Sequence, residues 1–169
     1  MQKYVFRRYV SEYVTFFTLE KRRLRKALGP FAKIQHVGST AIVGLGGKGI
    51  LDVLVGVPKA KFKEAKKKLE KARYEFRERA STPDRFFFRR NIRHKKGNRR
   101  VHIHLTTCDG KDWKEMIGFC DYLSKHPDAV EEYARLKKEA VKKARGIGEL
   151  YRKHKESFIK NIVKKALQQ

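Results

Sequence analysis

The chain has 169 residues, of which 43 are Lys or Arg and 18 are Asp or Glu, for a formal charge of +25. Its 40% hydrophobic and 11% aromatic residues can bury a core, which excludes a disordered polycation, and no apolar run approaches the roughly 20 residues of a membrane span. Self-repulsion at this charge calls for an anionic partner: a polyanion, an acidic protein or a membrane surface.

The opening MQKYVFRRYV lacks the apolar core of a signal peptide. Residues 11–28 space Val14, Phe17, Leu24 and Leu28 near helical intervals and stop at Gly29-Pro30, which predicts a helix. Residues 31–37 suit a short strand, and the glycine-rich 38–49 a loop or a broken helical turn. The almost unbroken apolar run 50–57 predicts a strand buried on both faces, interrupted by one acid, Asp52. A helix is expected over 59–72 with Phe62, Ala65 and Leu69 inward, then a strand at 73–78. Residues 85–93 and 99–106 flank HKKGN as a hairpin. Three helices follow at about 111–124, 127–145 and 148–167, broken at His126-Pro127 and Gly146-Ile147-Gly148. Cys108 and Cys120 make no disulfide framework and no CxxC pair, and read as reduced thiols of a cytoplasmic protein. The expected class is α+β, one domain over residues 1–169, with a mixed sheet on helices and a helical C-terminal half.

The segment HVGSTAIVGLGGKGILDVLVGV, residues 36–57, carries the most chemistry. Gly44 to Gly49 satisfies GxGxxG, but a strand follows where the dinucleotide fingerprint needs a helix. A P-loop would need Gly at 42 and Ser or Thr at 49, where the chain has Ile42 and Gly49. What remains is a strand, a Gly-Ser turn and a buried strand bearing Asp52. Gly38 lets backbone approach a ligand, Ser39 and Thr40 offer hydroxyls, and a helix starting there would aim N–H groups at an anion. Lys48 adds a point charge, and Asp52 could hold Mg²⁺ bridging phosphates. The plainer alternative is a glycine turn with Asp52 paired to Lys48 or an arginine. An acid between Ile50, Leu51, Val53 and Leu54 is costly unless it has a task or a partner.

These residues resemble the GrpB-like family of the nucleotidyltransferase superfamily, with His36, Gly38, Ser39, Thr40, Ala41, Gly44, Leu45, Lys48, Ile50 and Asp52 at its motif positions. Gly49 replaces a usual proline. The likeness continues through Arg85–Arg89, His102 and His104, Trp113, Asp121-Tyr122-Leu123, Tyr133, Leu136-Lys137, Tyr151, Lys155 and Phe158-Ile159. The resemblance implies a DNA-polymerase-β-like fold in which a Gly-Ser turn cradles a triphosphate. Carboxylates on adjacent strands there hold two metal ions for in-line attack on the α-phosphate. On that basis Gly38, Ser39, Thr40, Lys48 and Arg89 contact the phosphates of an NTP, and Asp52 is the catalytic metal ligand. The second carboxylate of the family's superfamily pattern is absent, its position being Leu54.

His102 and His104 alternate with Val101, Ile103 and Leu105 and so share one strand face. Beside Asp52 they could complete an open metal site, suiting Zn²⁺, Mn²⁺ or Fe²⁺ better than Mg²⁺. The alternative is a pair of histidines bonded to backbone or carboxylates. The expected cofactors are therefore an NTP and a divalent metal, Mg²⁺ or Mn²⁺, with Zn²⁺ as the variant. His36 reads as ordering the glycine loop.

Residues 85–100 carry Arg85, Arg89, Arg90, Arg93, Lys95, Lys96, Arg99 and Arg100 with no acid among them, and Phe86–Phe88 interleave. Such a hairpin can follow a phosphate backbone, or it can be a solvated edge whose charges prevent aggregation. Lysines also cover the helix at 59–72 and, at Lys137, Lys138, Lys142 and Lys143, the helix at 127–145, with few acidic partners. The reading is a nucleotidyltransferase acting on nucleic acid, RNA above DNA. The alternatives are an inactive RNA-binding relative, or a coenzyme A-related phosphate ligand, since family members occur fused to dephospho-coenzyme A kinase.

Overall fold

The computed structural model describes residues 6–94 and 97–168. Helix α1 (Glu12–Leu28) leads into strand β1 (Lys33–Val37), a single 3-10 turn at Ser39–Ala41 and strand β2 (Leu51–Val57). Helix α2 (Phe62–Lys71), strand β3 (Glu75–Phe76) and the long strands β4 (Arg85–His94) and β5 (Gly97–Thr107) follow. Three helices complete the described chain: α3 (Lys111–Lys125), α4 (Pro127–Ala144) and α5 (Gly148–Ala166). The class is the α+β arrangement with a helical C-terminal half that the order of elements implies. Among the described residues no helix is long and apolar enough to cross a membrane.

The sheet order is β1-β2-β5-β4-β3, with β2 and β5 parallel and every other pair antiparallel. On one face Val53, Val55, Ile103, Leu105 and Phe88 pack on Leu24 and Leu28 of α1 and on Ala65 and Leu69 of α2. On the other, Val37 and Leu54 meet Cys120, Leu123, Tyr133, Phe158 and Ile162 of the three C-terminal helices. Strand β2 is thus covered on both sides, as its unbroken apolar run requires. Asp52 shares the parity of Leu54 and faces the C-terminal helices.

Three details depart from the sequence reading. Val14, expected inward, is 57% exposed. The buried stripe of α1 is Tyr13, Glu20, Leu24 and Leu28, and one residue off that stripe is about 100° around the helix. The strand expected over 73–78 shrinks to two residues, because Arg73 adopts a left-handed φ of 65° before it and a 3-10 turn at Glu78–Ala80 follows it. The hairpin is paired out to His94 and Gly97, while Lys95 and Lys96, assigned to its tip, lie outside the described residues.

Candidate phosphate site

Antiparallel pairing sets Val37 opposite Asp52, so the chain leaving β1 turns directly over that carboxylate. Gly38 makes the turn at φ 74° and ψ −170°, a region open essentially to glycine alone. A Cβ there would lie 2.7 Å from Asp52 Oδ2. Gly38→Ala is therefore expected to cost about 2–4 kcal/mol of stability, read as a lowered denaturation midpoint. The turn after it is only three residues long, too short for the helix N-terminus considered above, so any anion would be met by single groups. Thr40 is buried and its hydroxyl lies 2.9 Å from His36 Nε2, which commits it to the fold. His36 stacks on Phe17 at 4.7 Å, and burial lowers its pKa to about 4 against the pull of Asp52. It orders the loop as a neutral ring.

Parallel pairing of β2 and β5 places His102 opposite Asp52 and His104 opposite Leu54. His102 Nδ1 and His104 Nε2 stand 3.3 and 3.4 Å from the same Asp52 oxygen, Oδ1. Phe87 sets its ring edge-on to both imidazoles. Burial alone would raise the Asp52 pKa, but the hydrogen bonds and charge of the two histidines outweigh it and hold the carboxyl below the usual range. The three residues that the sequence suggested do converge. Among the described residues, however, no group of three or more His, Cys, Asp or Glu could hold a metal ion. Leu54 is fully buried in the apolar core, so β2 supplies one carboxylate only. One acid and two imidazoles do not fit a pair of Mg²⁺ ions, which take oxygen ligands. The cluster is a hydrogen-bonded Asp-His-His set in which His104 Nδ1 is buried without a partner among the described groups.

Cations crowd this cluster. Lys48, Lys155 and the buried Lys137 all feel Asp52. Lys48 Nζ and Lys155 Nζ lie 4.0 and 4.3 Å from the centre of the same Tyr151 ring. Lys137 Nζ donates to the Gly46 carbonyl, and a Cβ at Gly47 would lie 3.1 Å from that nitrogen and 2.5 Å from Ser39 Oγ. Burial, then the charge of Lys155, lowers the Lys137 pKa to about 7, with Asp52 opposing. Burial likewise brings Lys155 to about 8, with Asp52 opposing and Arg152 assisting. Lys48 falls to about 8 through burial first, then Lys155, Arg152 and Arg100, against Asp52.

The family resemblance includes Lys137 and Lys155, but neither is among the site residues expected from the sequence. A signal was there. Lys137 sits within the stripe Ala129, Tyr133, Ala140, Ala144, and Lys155 within Tyr151, Phe158, Ile162, each a lysine on the apolar face of its helix. The later glycines also prove structural. Arg7 and Gly47 exchange two backbone hydrogen bonds, and a Cβ at Gly46 or Gly49 would strike Phe6 or Arg7.

The basic hairpin is less bare than its sequence. Arg89 shares the site face opposite His102, but its guanidinium grips Glu75 with two bonds of 2.8 and 3.2 Å, directing it to the sheet edge. Arg85 lies 3.7 Å from Asp112, and Arg90 donates to the Ala72 carbonyl beside the Tyr74 ring. Arg99 covers the Phe16 ring at 3.9 Å, Arg100 donates to Asn91, and Arg93 is exposed.

A mixed α+β sheet thus carries a Gly-Ser turn over one strand carboxylate, with lysines from a glycine loop and two C-terminal helices near it. The chain belongs to the GrpB family, whose model, described as GrpB protein, matches residues 5–165. It is 32% identical over 150 residues to the glutamate-rich protein GrpB of Alkalihalophilus pseudofirmus, spanning 87% of this chain and 86% of that one. A UPF0157 protein of Pseudomonas aeruginosa is 30% identical over 89% of this chain and 62% of its own length. The crystal structure of the conserved protein GrpB from Enterococcus faecalis superposes with a TM-score of 0.83 at 26% identity, covering 97% of this chain and 98% of that one. The Cid1 poly(U) polymerase aligns at a TM-score of 0.48 and 14% identity over 78% of this chain and 44% of its own.

Proposed function

We propose that the chain binds the polyphosphate of a nucleoside triphosphate at the Gly38-Ser39 turn and transfers the nucleotidyl group to RNA. The observation that carries this reading is the gathering of Lys48 and Lys155 on one Tyr151 ring and of Lys137 on the Gly46 carbonyl, all within reach of the Asp52 charge. Cations desolvated beside one another are destabilising until an anion joins them, and a triphosphate brings enough charge to satisfy all three. Ser39, beside Gly47, adds a hydroxyl donor.

The histidine cluster supplies the proton chemistry. When His102 gives its Nδ1–H to Asp52 Oδ1, 3.3 Å away, Nε2 is the ring nitrogen left to accept a proton. That nitrogen takes the proton of the attacking ribose hydroxyl as its oxygen bonds to the α-phosphorus. The bond to the bridging oxygen breaks, and pyrophosphate leaves into the lysine ring. A binding-only protein is the second reading, favoured by the burial of Leu54 where the superfamily's second carboxylate belongs. Each labelled NTP, incubated with the protein, Mg²⁺ or Mn²⁺ and total RNA, is expected to show transfer from at least one nucleotide, lost in His102→Gln. No transfer from any of the four, with RNA binding intact, selects the second reading. RNA affinity should fall linearly in log K against log salt in either case.

A further inference from the structure

A cavity of about 560 Å³ lies between α1 and the turn end of the β4–β5 hairpin, apart from the lysine ring. Its walls are apolar and aromatic, formed by Tyr13, Phe16, Leu19, Leu51, Ile92 and Val101. Arg22, Arg23, Lys26, Arg99 and Arg100 complete the lining with cations. One acid lines it as well. Glu20 is 2% exposed, accepts a hydrogen bond from the Tyr74 hydroxyl, and keeps its second oxygen 3.9 Å from Arg23 Nε.

We infer that this groove holds an unpaired nucleotide of the RNA acceptor, base inward toward Glu20 and phosphates on the arginine rim. The inference rests on the reading that this site works on RNA. Three demands select the occupant. The rim wants negative charge, the walls want flat or apolar surface, and Glu20 wants a donor. An acyl chain would lay hydrocarbon against a buried carboxyl group, at a desolvation cost. An acidic peptide would bring carboxylates toward another carboxyl. A nucleobase offers π-faces to Phe16 and to the Arg99 guanidinium already stacked on it, and an exocyclic amino group to Glu20. Its phosphates then meet Arg22, Arg23 and Arg100.

The position agrees with that role. Gly49 and Leu51, which lie between Lys48 and Asp52 in the chain, line the groove, and the charge of Arg100 reaches Lys48. The groove opens on the α1 face of the sheet and the triphosphate site on the other, so a strand seated here must pass over the end of β2 to reach it. Because uracil presents carbonyls where adenine and cytosine present an amino group, the groove should prefer the latter two.

The test uses fluorescein-labelled single-stranded hexanucleotides of A, C and U, with a fluorescent ATP analogue measured in parallel on the full chain. Phe16→Leu keeps charge and apolar character but removes the ring. Leu19→Glu alters a residue already 56% exposed, which keeps folding out of the result. Each is expected to weaken A and C hexanucleotide binding at least about fivefold with ATP affinity unchanged, and Glu20→Gln to level the preference over U. Unchanged hexanucleotide affinity in both Phe16→Leu and Leu19→Glu overturns the groove, as does displacement of the A hexanucleotide by dodecanoate. If the wild type binds no ATP analogue yet these variants still lose RNA, the groove stands and the triphosphate reading falls.

Discussion

A Lys137→Met variant is expected to melt higher than the wild-type protein and to lose triphosphate binding. Lys137 is 2% exposed on the apolar stripe of α4, and burial followed by the charge of Lys155 lowers its pKa to about 7. Methionine follows the path of the lysine stem and brings no charge to desolvate. Losing the hydrogen bond to the Gly46 carbonyl takes back about 1 kcal/mol. A net gain of about 2–4 kcal/mol remains, or roughly 5–15 °C at this chain length. Triphosphate affinity should drop about thirtyfold or more, the usual loss for one desolvated charge contact.

The pH dependence checks the same idea. Lys137 near 7 and Lys48 and Lys155 near 8 lie below the 10.5 of an unfolded chain. Between about pH 7 and 9 these lysines leave the unfolded state holding more protons, so stability of the ligand-free protein rises with pH there; above that, the raised Cys120, Tyr74 and Tyr133 act in the opposite sense. The rise should be shallower in Lys137→Met. Triphosphate binding favours the charged lysines, so affinity falls as pH increases through 7 to 8, with proton uptake seen by calorimetry in buffers of different ionisation enthalpy. A variant that melts lower, or a wild type whose stability is flat between about pH 7 and 9, would remove the lysine ring as a charged site.

Asp52→Asn is expected to act in the opposite sense on stability. The carboxylate attracts all three lysines and accepts from both histidines, and its pKa is depressed in the fold. A depressed acid contributes stability above its unfolded value near 3.8 and gives it up as pH falls below that. Asparagine keeps the shape beneath Gly38 but removes the charge, leaving buried cations uncompensated. The cost should be about 3 kcal/mol or more near neutral pH, read by chemical denaturation. The difference from wild type should close progressively in acid below about pH 4. Nucleotidyl transfer should fall roughly ten-thousand-fold, because the His102 tautomer is no longer held, while hexanucleotide binding in the α1–hairpin groove persists. Transfer retained within a factor of ten would exclude the Asp52–His102 pair as the proton acceptor.

Much of this was legible along the chain. Short-range periodicity carried β2, buried on both faces, and the parity that puts His102 and His104 on one side. Local backbone chemistry carried the breaks at Pro127 and Gly146 and the turn at Gly38, since φ preferences act within a few residues. The sequence by itself therefore determined the element order, the α+β class and, through the family motif, the placing of Asp52 on the strand beside the Gly38 turn. Only the tertiary structure decided which charges meet. Glu75 and Asp112 neutralise Arg89 and Arg85 in a hairpin that has no acid of its own. Lys137 and Lys155 reach Asp52 from helices far along the chain, while Leu54 turns into the core between them. Coulomb energy depends on distance in space and on burial, and neither is a function of spacing in sequence.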